Sequence, residues 1–285
     1  MGEITANTRL VGVIGHPVAH SLSPAMHNAE FRRLGLDYVY AAWDVAPEKL
    51  DDAVRGLKAL GAAGINVTVP HKQAVISSLD ELAPEAKLIG AVNTVRFDPG
   101  HAVGFNTDAA GWVNDIQCDL ELGDQSIAVI GAGGAARAVA VGACQAGAGR
   151  VVICNRRFET AEALGEILHH HFHRVKVEWS GFCGEDCRNR LRQCNVVVNT
   201  TPVGMAMKPG SPLPVEWLLP GQFVYDTVYT PAETELIVAA RARGCRTRNG
   251  IGMLTRQGAK AFHLWTGIEP DADAMETTLR EQLAG

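Results

Sequence analysis

Lys72, in the stretch NVTVPHK (66–72), and Asp108, closing GFNTD (104–108), stand 36 positions apart, each at the end of an apolar run. An ammonium can hand a proton to an oxygen on which negative charge is building and take it back in reverse, and a carboxylate can orient the amine. Ion pairs are common in proteins, so this pair gains meaning only from its neighbours. Asn66 and Thr68 sit just before the lysine at an expected strand end, and Asn93 in AVNTV supplies another amide. Ser21 and Ser23 follow a Gly15-His16-Pro17 loop, and two hydroxyls at a helix entry suit a carboxylate. The order Ser23-Pro24 gives Ser23 a structural reason, a capping hydroxyl with proline at the first helical position; Ser21 has none. Lys72 reads as lying in the first turn of a helix, where a cation is unfavourable by ~0.3–1 kcal/mol. Local structure disfavours it there, which moves weight towards function.

A hydride source is written further along. GAGGAA (131–136) falls between an expected strand, SIAVIG (126–131), and an expected helix from about 135 to 147. Gly131 permits a tight turn, Gly133 lets the backbone approach a pyrophosphate, and the small Gly134 and Ala135 let helix and strand pack closely. The helix N-terminus then offers unpaired N–H groups to the phosphates. The next strand, VVICN (151–155), ends in Asn155-Arg156-Arg157. An NAD site places a carboxylate there for the ribose hydroxyls. Guanidinium groups instead attract a 2′-phosphate and bind it bidentately, so the residues favour NADP over an exposed basic loop of no function.

The elements that must position these groups alternate between strand and helix, an α/β pattern. Strands are expected at LVGVIG (10–15), YVYAAWDV (38–45) and GINVTV (64–69), with AVNTVRF (91–97) and AVGFN (102–106) as a hairpin around Pro99-Gly100. Helices are expected from Ser23 to Gly35 and over 47–60. A second block opens near 108, with the dinucleotide unit followed by strands NVVVNT (195–200) and QFVYDTVY (222–229) and a helix at 232–243. Two helices separated by Pro270 fill 252–284. Trp112 and Met207 read as exposed apolar side chains, which core packing or a lid loop explains without a binding role.

A net charge of -5 leaves no case for nucleic acid or an anionic membrane as the main partner. No apolar run approaches the ~18–20 residues needed to span a bilayer. The polar start MGEITANTRL does not suit a signal peptide. The seven cysteines are odd in number and mostly inside apolar stretches. Reduced core thiols in a cytoplasmic protein fit that usage. HHHFH (169–173) and CGEDC (183–187) gather possible metal ligands, but the spacing matches no standard zinc pattern. They read as a helix end and a polar loop, and no metal is expected. Monomer and homodimer are both open.

Taken in order, SLSPAMHN (21–28), NVTVPHK (66–72), GAVNTV (90–95), GFNTD (104–108), GAGGAARA (131–138), NRR (155–157), NTTPVGM (199–205), YDTVYTP (225–231) and NGIGMLTRQGA (249–259) cover nearly the whole chain. They resemble the shikimate dehydrogenase family. The resemblance implies NADPH-dependent, reversible reduction of 3-dehydroshikimate to shikimate in chorismate and aromatic amino-acid biosynthesis. It implies Lys72 and Asp108 as the catalytic pair. Ser21, Ser23 and Tyr229 would hold the substrate carboxylate, and Asn66, Thr68, Asn93 and Gln257 the ring hydroxyls. Gly131, Gly133, Gly134 and Ala135 would carry the pyrophosphate, Asn155, Arg156 and Arg157 the 2′-phosphate. Thr200, Val228, Gly250 and Met253 would border the nicotinamide. The fold implied is a two-domain α/β protein. A substrate-binding domain over 1–107 is completed by C-terminal helices over 252–285, and a Rossmann NADP-binding domain covers 108–251. The alternatives are a quinate/shikimate dehydrogenase of broader substrate and cofactor use, an aminoshikimate dehydrogenase, and a non-catalytic NADP-binding paralogue.

Overall fold

The computed structural model of the protein describes residues 4–182 and 184–284. The chain forms two compact units: the part up to Thr107 together with the part from Thr255 onward, and Asp108–Leu254 between them in sequence.

The first unit opens with β1 (Arg9–Gly15), α1 (Ser23–Arg33), β2 (Tyr38–Asp44), α2 (Leu50–Ala59) and β3 (Gly64–Val67). It continues with β4 (Glu81–Leu82), α3 (Pro84–Ile89), β5 (Thr94–Asp98) and β6 (His101–Phe105). The second unit contains α4 (Asp108–Ile116), β7 (Ser126–Ile130), α5 (Gly134–Gln145), β8 (Arg150–Asn155), α6 (Phe158–His171) and β9 (Lys176–Gly181). After these come α7 (Gly184–Arg192), β10 (Val196–Asn199), β11 (Phe223–Asp226), α8 (Glu235–Ala242) and β12 (Arg246–Asn249). The boundary at Thr255 falls within α9 (Ile251–Thr266), and α10 (Ala272–Ala284) ends the chain.

In the first unit the strand order is β2-β1-β3-β5-β6-β4. β1 is parallel to both β2 and β3, while β5 is antiparallel to β3 and β6. Side chains alternate across a strand, and the core divides accordingly. Val11 and Val13 face Phe31 of α1 and Phe262 and Trp265 of α9. Ile14, Ile65 and Val67 face Val54 and Leu57 of α2. Because Ile65 and Val67 take one face, Asn66 is turned to the other, against Tyr40. The approach of α9 is close: a Cβ on Gly64 would lie 2.2 Å from Trp265 Nε1, which donates to the Val95 carbonyl at 3.0 Å.

The second unit is a doubly wound sheet, β12-β11-β10-β7-β8-β9, with every neighbouring pair parallel. The strand order reverses between β7 and β10, and in such sheets ligands bind at the carboxyl ends of strands at that reversal. β-branched runs such as Val196-Val197-Val198 suit strands buried on both faces.

Several local expectations change. β3 stops at Val67, and a turn over 69–73 leads into a short 3-10 helix, Ala74–Ser78, with no α-helix between β3 and β4. The dipole argument against Lys72 therefore lapses, since a single 3-10 turn lacks the aligned peptide stack. Helix α1 begins at Ser23 itself, with Leu22 at the capping position and no side-chain cap. Instead the Ser21 hydroxyl accepts from the Ser23 N–H at 3.3 Å, so the local structural role falls to Ser21 rather than Ser23. Residues 184–187 are not a polar loop but the first turn of α7. Only Cys187 and Leu191, four residues apart, face its core, so the periodic signal is thin. Cys183 lies outside the described residues. Trp112 is fully buried, set edge-on to Tyr225 at 6.3 Å. Trp265→Ala should remove a buried contact between α9 and the first sheet and cost about 3–5 kcal/mol, read as a lower urea midpoint at an unchanged slope.

Candidate active site

The glycine turn sits at the strand-order reversal. Gly131 follows β7 at φ +114, and a Cβ on it would lie 2.7 Å from Thr200 Oγ1. Thr200 itself donates to the Ile130 carbonyl at 2.6 Å, so the ends of β7 and β10 are held together by this contact. Gly133 stands at the capping position of α5, and a Cβ there would meet nothing within 4 Å. Neither a capping side chain nor an acidic residue occupies the first turn of α5. Open space, free helix N–H groups and no negative charge are what a pyrophosphate requires. The residues present fit a dinucleotide.

At the end of β8 the Asn155 amide donates to the Arg157 carbonyl at 3.0 Å and to Thr160 Oγ1 at 2.5 Å, shaping the turn. Arg156 and Arg157 are exposed and pair with no carboxylate among the described residues. A basic turn held in shape by an asparagine fits a 2′-phosphate.

The turns after β10 and β11 hang on two buried side chains. Asn199 donates to Asp226 Oδ1 at 2.8 Å and to the Val203 carbonyl at 3.0 Å, and accepts from the Thr201 N–H at 2.9 Å. Asp226 also accepts from the Val228 N–H at 3.0 Å and from Thr234 Oγ1 at 2.7 Å. These bonds place Thr200, Val228 and the half-buried Tyr229, whose hydroxyl burial pushes up in pKa. Gly250 packs so tightly that a Cβ would lie 2.2 Å from the Thr227 carbonyl oxygen, and Met253 is buried just beyond it.

In the first unit the amides form one connected cluster. Asn66 accepts from Tyr40 Oη at 2.7 Å and donates to the Asn93 carbonyl at 3.2 Å and Thr94 Oγ1 at 3.0 Å. Asn93 accepts from the Thr107 N–H at 2.8 Å and donates to Thr107 Oγ1 at 2.8 Å and Gln257 Oε1 at 3.2 Å. Tyr40 is stacked on His27, with ring centroids 4.4 Å apart and planes 3° from parallel. Full burial pushes the His27 pKa down to about 3, so the ring is neutral and serves as an apolar plate. Lys72 is half-buried in a turn pinned on both sides. Its carbonyl accepts from the Val92 N–H at 2.7 Å, and the neighbouring His71 places Nε2 2.7 Å from the Val45 carbonyl. Thr68 is tied to β1 through its N–H on the Ile14 carbonyl at 2.9 Å.

Thus Asn66, Asn93 and Gln257 are brought together, as are Gly131 and Thr200, and Ser21 touches Ser23. Lys72 belongs to the first unit and Asp108 opens α4 in the second. Tyr40, Thr94, Thr107, Asn199 and Asp226 do not stand out from the sequence as site residues. Four of these lie inside the quoted motifs and could be found as buried polar residues at strand ends. Tyr40, one of three aromatics in its strand, carries no signal that sets it apart. Among the described residues no three His, Cys, Asp or Glu side chains are grouped to hold a metal, and no helix is long and apolar enough to cross a membrane.

A doubly wound unit with a glycine turn at its strand reversal, in a chain whose other unit gathers buried amides and hydroxyls, defines a two-unit dinucleotide-binding protein. The family model described as shikimate dehydrogenase substrate binding domain matches residues 13–95, and that described as shikimate 5'-dehydrogenase C-terminal domain matches 250–280. The shikimate dehydrogenase (NADP(+)) of Methanopyrus kandleri is 45% identical over 286 residues, covering 99% of this chain and 98% of its own length. A crystal structure of a shikimate dehydrogenase in complex with NADP+ superposes with TM-score 0.91 at 40% identity, covering 99% and 98% of the two chains. The Thermus thermophilus enzyme in complex with NADP(H) and shikimate gives 0.86 at 38% identity, covering 96% and 99%. The chain belongs to the shikimate dehydrogenase family.

Asp226 offers a test of the turn architecture. Burial outweighs its three neutral hydrogen bonds and raises its pKa from 3.8 to about 6. An acid whose folded pKa is raised holds its proton in the folded chain after the unfolded chain has lost it. Its contribution is therefore most favourable below pH 4 and falls as pH rises through about 6, by roughly 3 kcal/mol in all. Asp226→Asn should flatten this decline. Urea titrations of both proteins at about pH 4.5 and pH 7, either side of the folded pKa, measure it. Identical pH dependence would remove Asp226 from the account.

Proposed function

We propose that the chain catalyses the NADPH-dependent, reversible reduction of 3-dehydroshikimate to shikimate, a step towards chorismate and the aromatic amino acids. The observation that carries this reading is the conjunction, in one family member, of the connected amide cluster around Asn66 and Asn93 with the arginine-bearing turn after β8. The full-length similarity to proteins named for shikimate and NADP supports it.

When bound, NADPH supplies a hydride to the substrate's carbonyl carbon. Negative charge then builds on the carbonyl oxygen, and a donor is needed there. Lys72 gives that oxygen its proton and takes one back in the reverse direction, while Asp108 orients the amine and the resulting hydroxyl. Ser21, Ser23 and Tyr229 hold the substrate carboxylate. Asn66, Thr68, Asn93 and Gln257 hold the ring hydroxyls. The amides already satisfy one another, so a polyol exchanges partners with a preformed network instead of ordering loose side chains. Gly131, Gly133, Gly134 and Ala135 receive the pyrophosphate, and Asn155, Arg156 and Arg157 the 2′-phosphate. Thr200, Val228, Gly250 and Met253 border the nicotinamide.

Oxidation of shikimate with NADP, followed by NADPH absorbance against quinate and NAD as comparisons, tests the whole reading. Faster turnover of quinate or NAD would move the chain to the broader quinate/shikimate type. Lys72→Ala should lower kcat by at least ~100-fold; near-normal kcat in a folded variant would take Lys72 out of the chemistry. Arg156→Ala should weaken NADP far more than NAD, whereas equal losses for the two would contradict the 2′-phosphate assignment.

A further inference from the structure

Asp115 is a carboxylate with no accessible surface, seven residues after Asp108 on α4. Seven residues are nearly two helical turns, so the two side chains leave the same face of α4 about 10 Å apart along its axis. Asp115 receives a guanidinium fork: Arg248 donates through Nε to Oδ2 at 2.9 Å and through Nη2 to Oδ1 at 2.6 Å. Tyr225, also fully buried, donates its hydroxyl to Oδ2 at 2.7 Å. The remaining arm of Arg248 pairs with Asp119, at the polar turn after α4. The same carboxylate lies directly against the start of α9. A Cβ on Gly252 would fall 1.8 Å from Oδ1 and 2.4 Å from Cγ, and the Met253 N–H faces the Tyr225 hydroxyl.

We propose that Asp115 is a positioning residue that sets two pieces of the reactive site at once. Through α4 it fixes the axial and rotational position of Asp108. Through Arg248, Tyr225 and the contact with Gly252 it fixes the segment Gly250–Met253. The inference rests on the function proposed above, in which Asp108 meets the substrate and Gly250 and Met253 border the nicotinamide. A simple core ion pair could sit anywhere along α4 and β12. This one occupies the face of α4 shared with Asp108, and only a residue lacking a side chain fits against it at 252. Glycine at 252 is otherwise a costly choice inside the first turn of a helix. In that reading the adenosine end of the cofactor lies at Gly133, which caps α5, and at the turn after β8, on elements other than α4, β12 and the start of α9.

The test separates positioning from folding by reading the two ends of the cofactor site independently. Asp115→Asn keeps the shape against Gly252 and withdraws the charge from the Arg248 fork. Its kcat for shikimate oxidation should fall about 10- to 100-fold, the scale of a reacting group displaced by about 1 Å. Affinity for 2′,5′-ADP, which probes only the phosphate end, should stay within ~2-fold. Amide hydrogen exchange should quicken in 108–112 and 250–254 and not in 131–138. Tyr225→Phe, which removes a single hydrogen bond, should show the same split at a few-fold and guards against loss of fold in the first variant. Wild-type kcat and exchange in both folded variants would overturn the proposal, as would equal losses in kcat and in 2′,5′-ADP affinity. If the wild-type protein does not oxidise shikimate, the functional reading fails, and the exchange and 2′,5′-ADP measurements still decide whether Asp115 positions these segments.

Discussion

A polar side chain buried at the end of a strand must find a hydrogen-bond partner inside the protein or cost about 1–3 kcal/mol, and both units are organised around meeting that demand. In the first unit Asn66, at the end of β3, is met by Tyr40, Thr94 and the backbone of Asn93. Asn93 in turn is met by Thr107 and Gln257. In the second unit Asn199 and Asp226 end adjacent strands and meet each other. Neither set is placed for the sake of core stability, since apolar residues of similar size would pack there without the polar cost. Their effect is to fold the segments that follow each strand into fixed turns, and those turns carry the candidate site residues.

The same demand explains why some of this is readable in the amino-acid sequence and some is not. Alternation and β-branched runs locate the main strands, and the glycine turn between strand and helix locates the dinucleotide unit. Asparagine and threonine in AVNTV and NTTPVGM stand out because polar residues interrupt apolar strands there. Elements defined by one or two buried side chains give too little periodicity: α7 buries only Cys187 and Leu191, and β4 spans two residues. The turn at Lys72 departs from expectation for a different reason. Proline at 70 suggests a helix start, whereas the chain turns over 69–73 and is held by tertiary bonds to Ile14, Val45 and Val92, none of them near in sequence. Ser21 and Ser23 exchange roles because a helix boundary moves by one residue, a shift that sequence rules do not resolve.

Asp115 and Asp226 show how the partner, and not burial, decides what a carboxylate does inside this unit. Both have no accessible surface. Among the described residues Asp226 has only neutral donors, Asn199, Thr234 and a backbone N–H, and burial lifts its pKa to about 6. Asp115 has the two-pronged Arg248 guanidinium as well as Tyr225. A fork of that kind constrains direction as well as charge, because both oxygens must align with both nitrogens. Neutral single bonds leave Asp226 free to trade its partners as it gains or loses a proton, which suits a residue that only closes turns. The forked pair is suited to holding a helix at one rotation and one depth. That difference in geometric tolerance is why the forked carboxylate lies on the face of α4 that Asp108 also occupies, and why the segment laid against it at 252 is glycine.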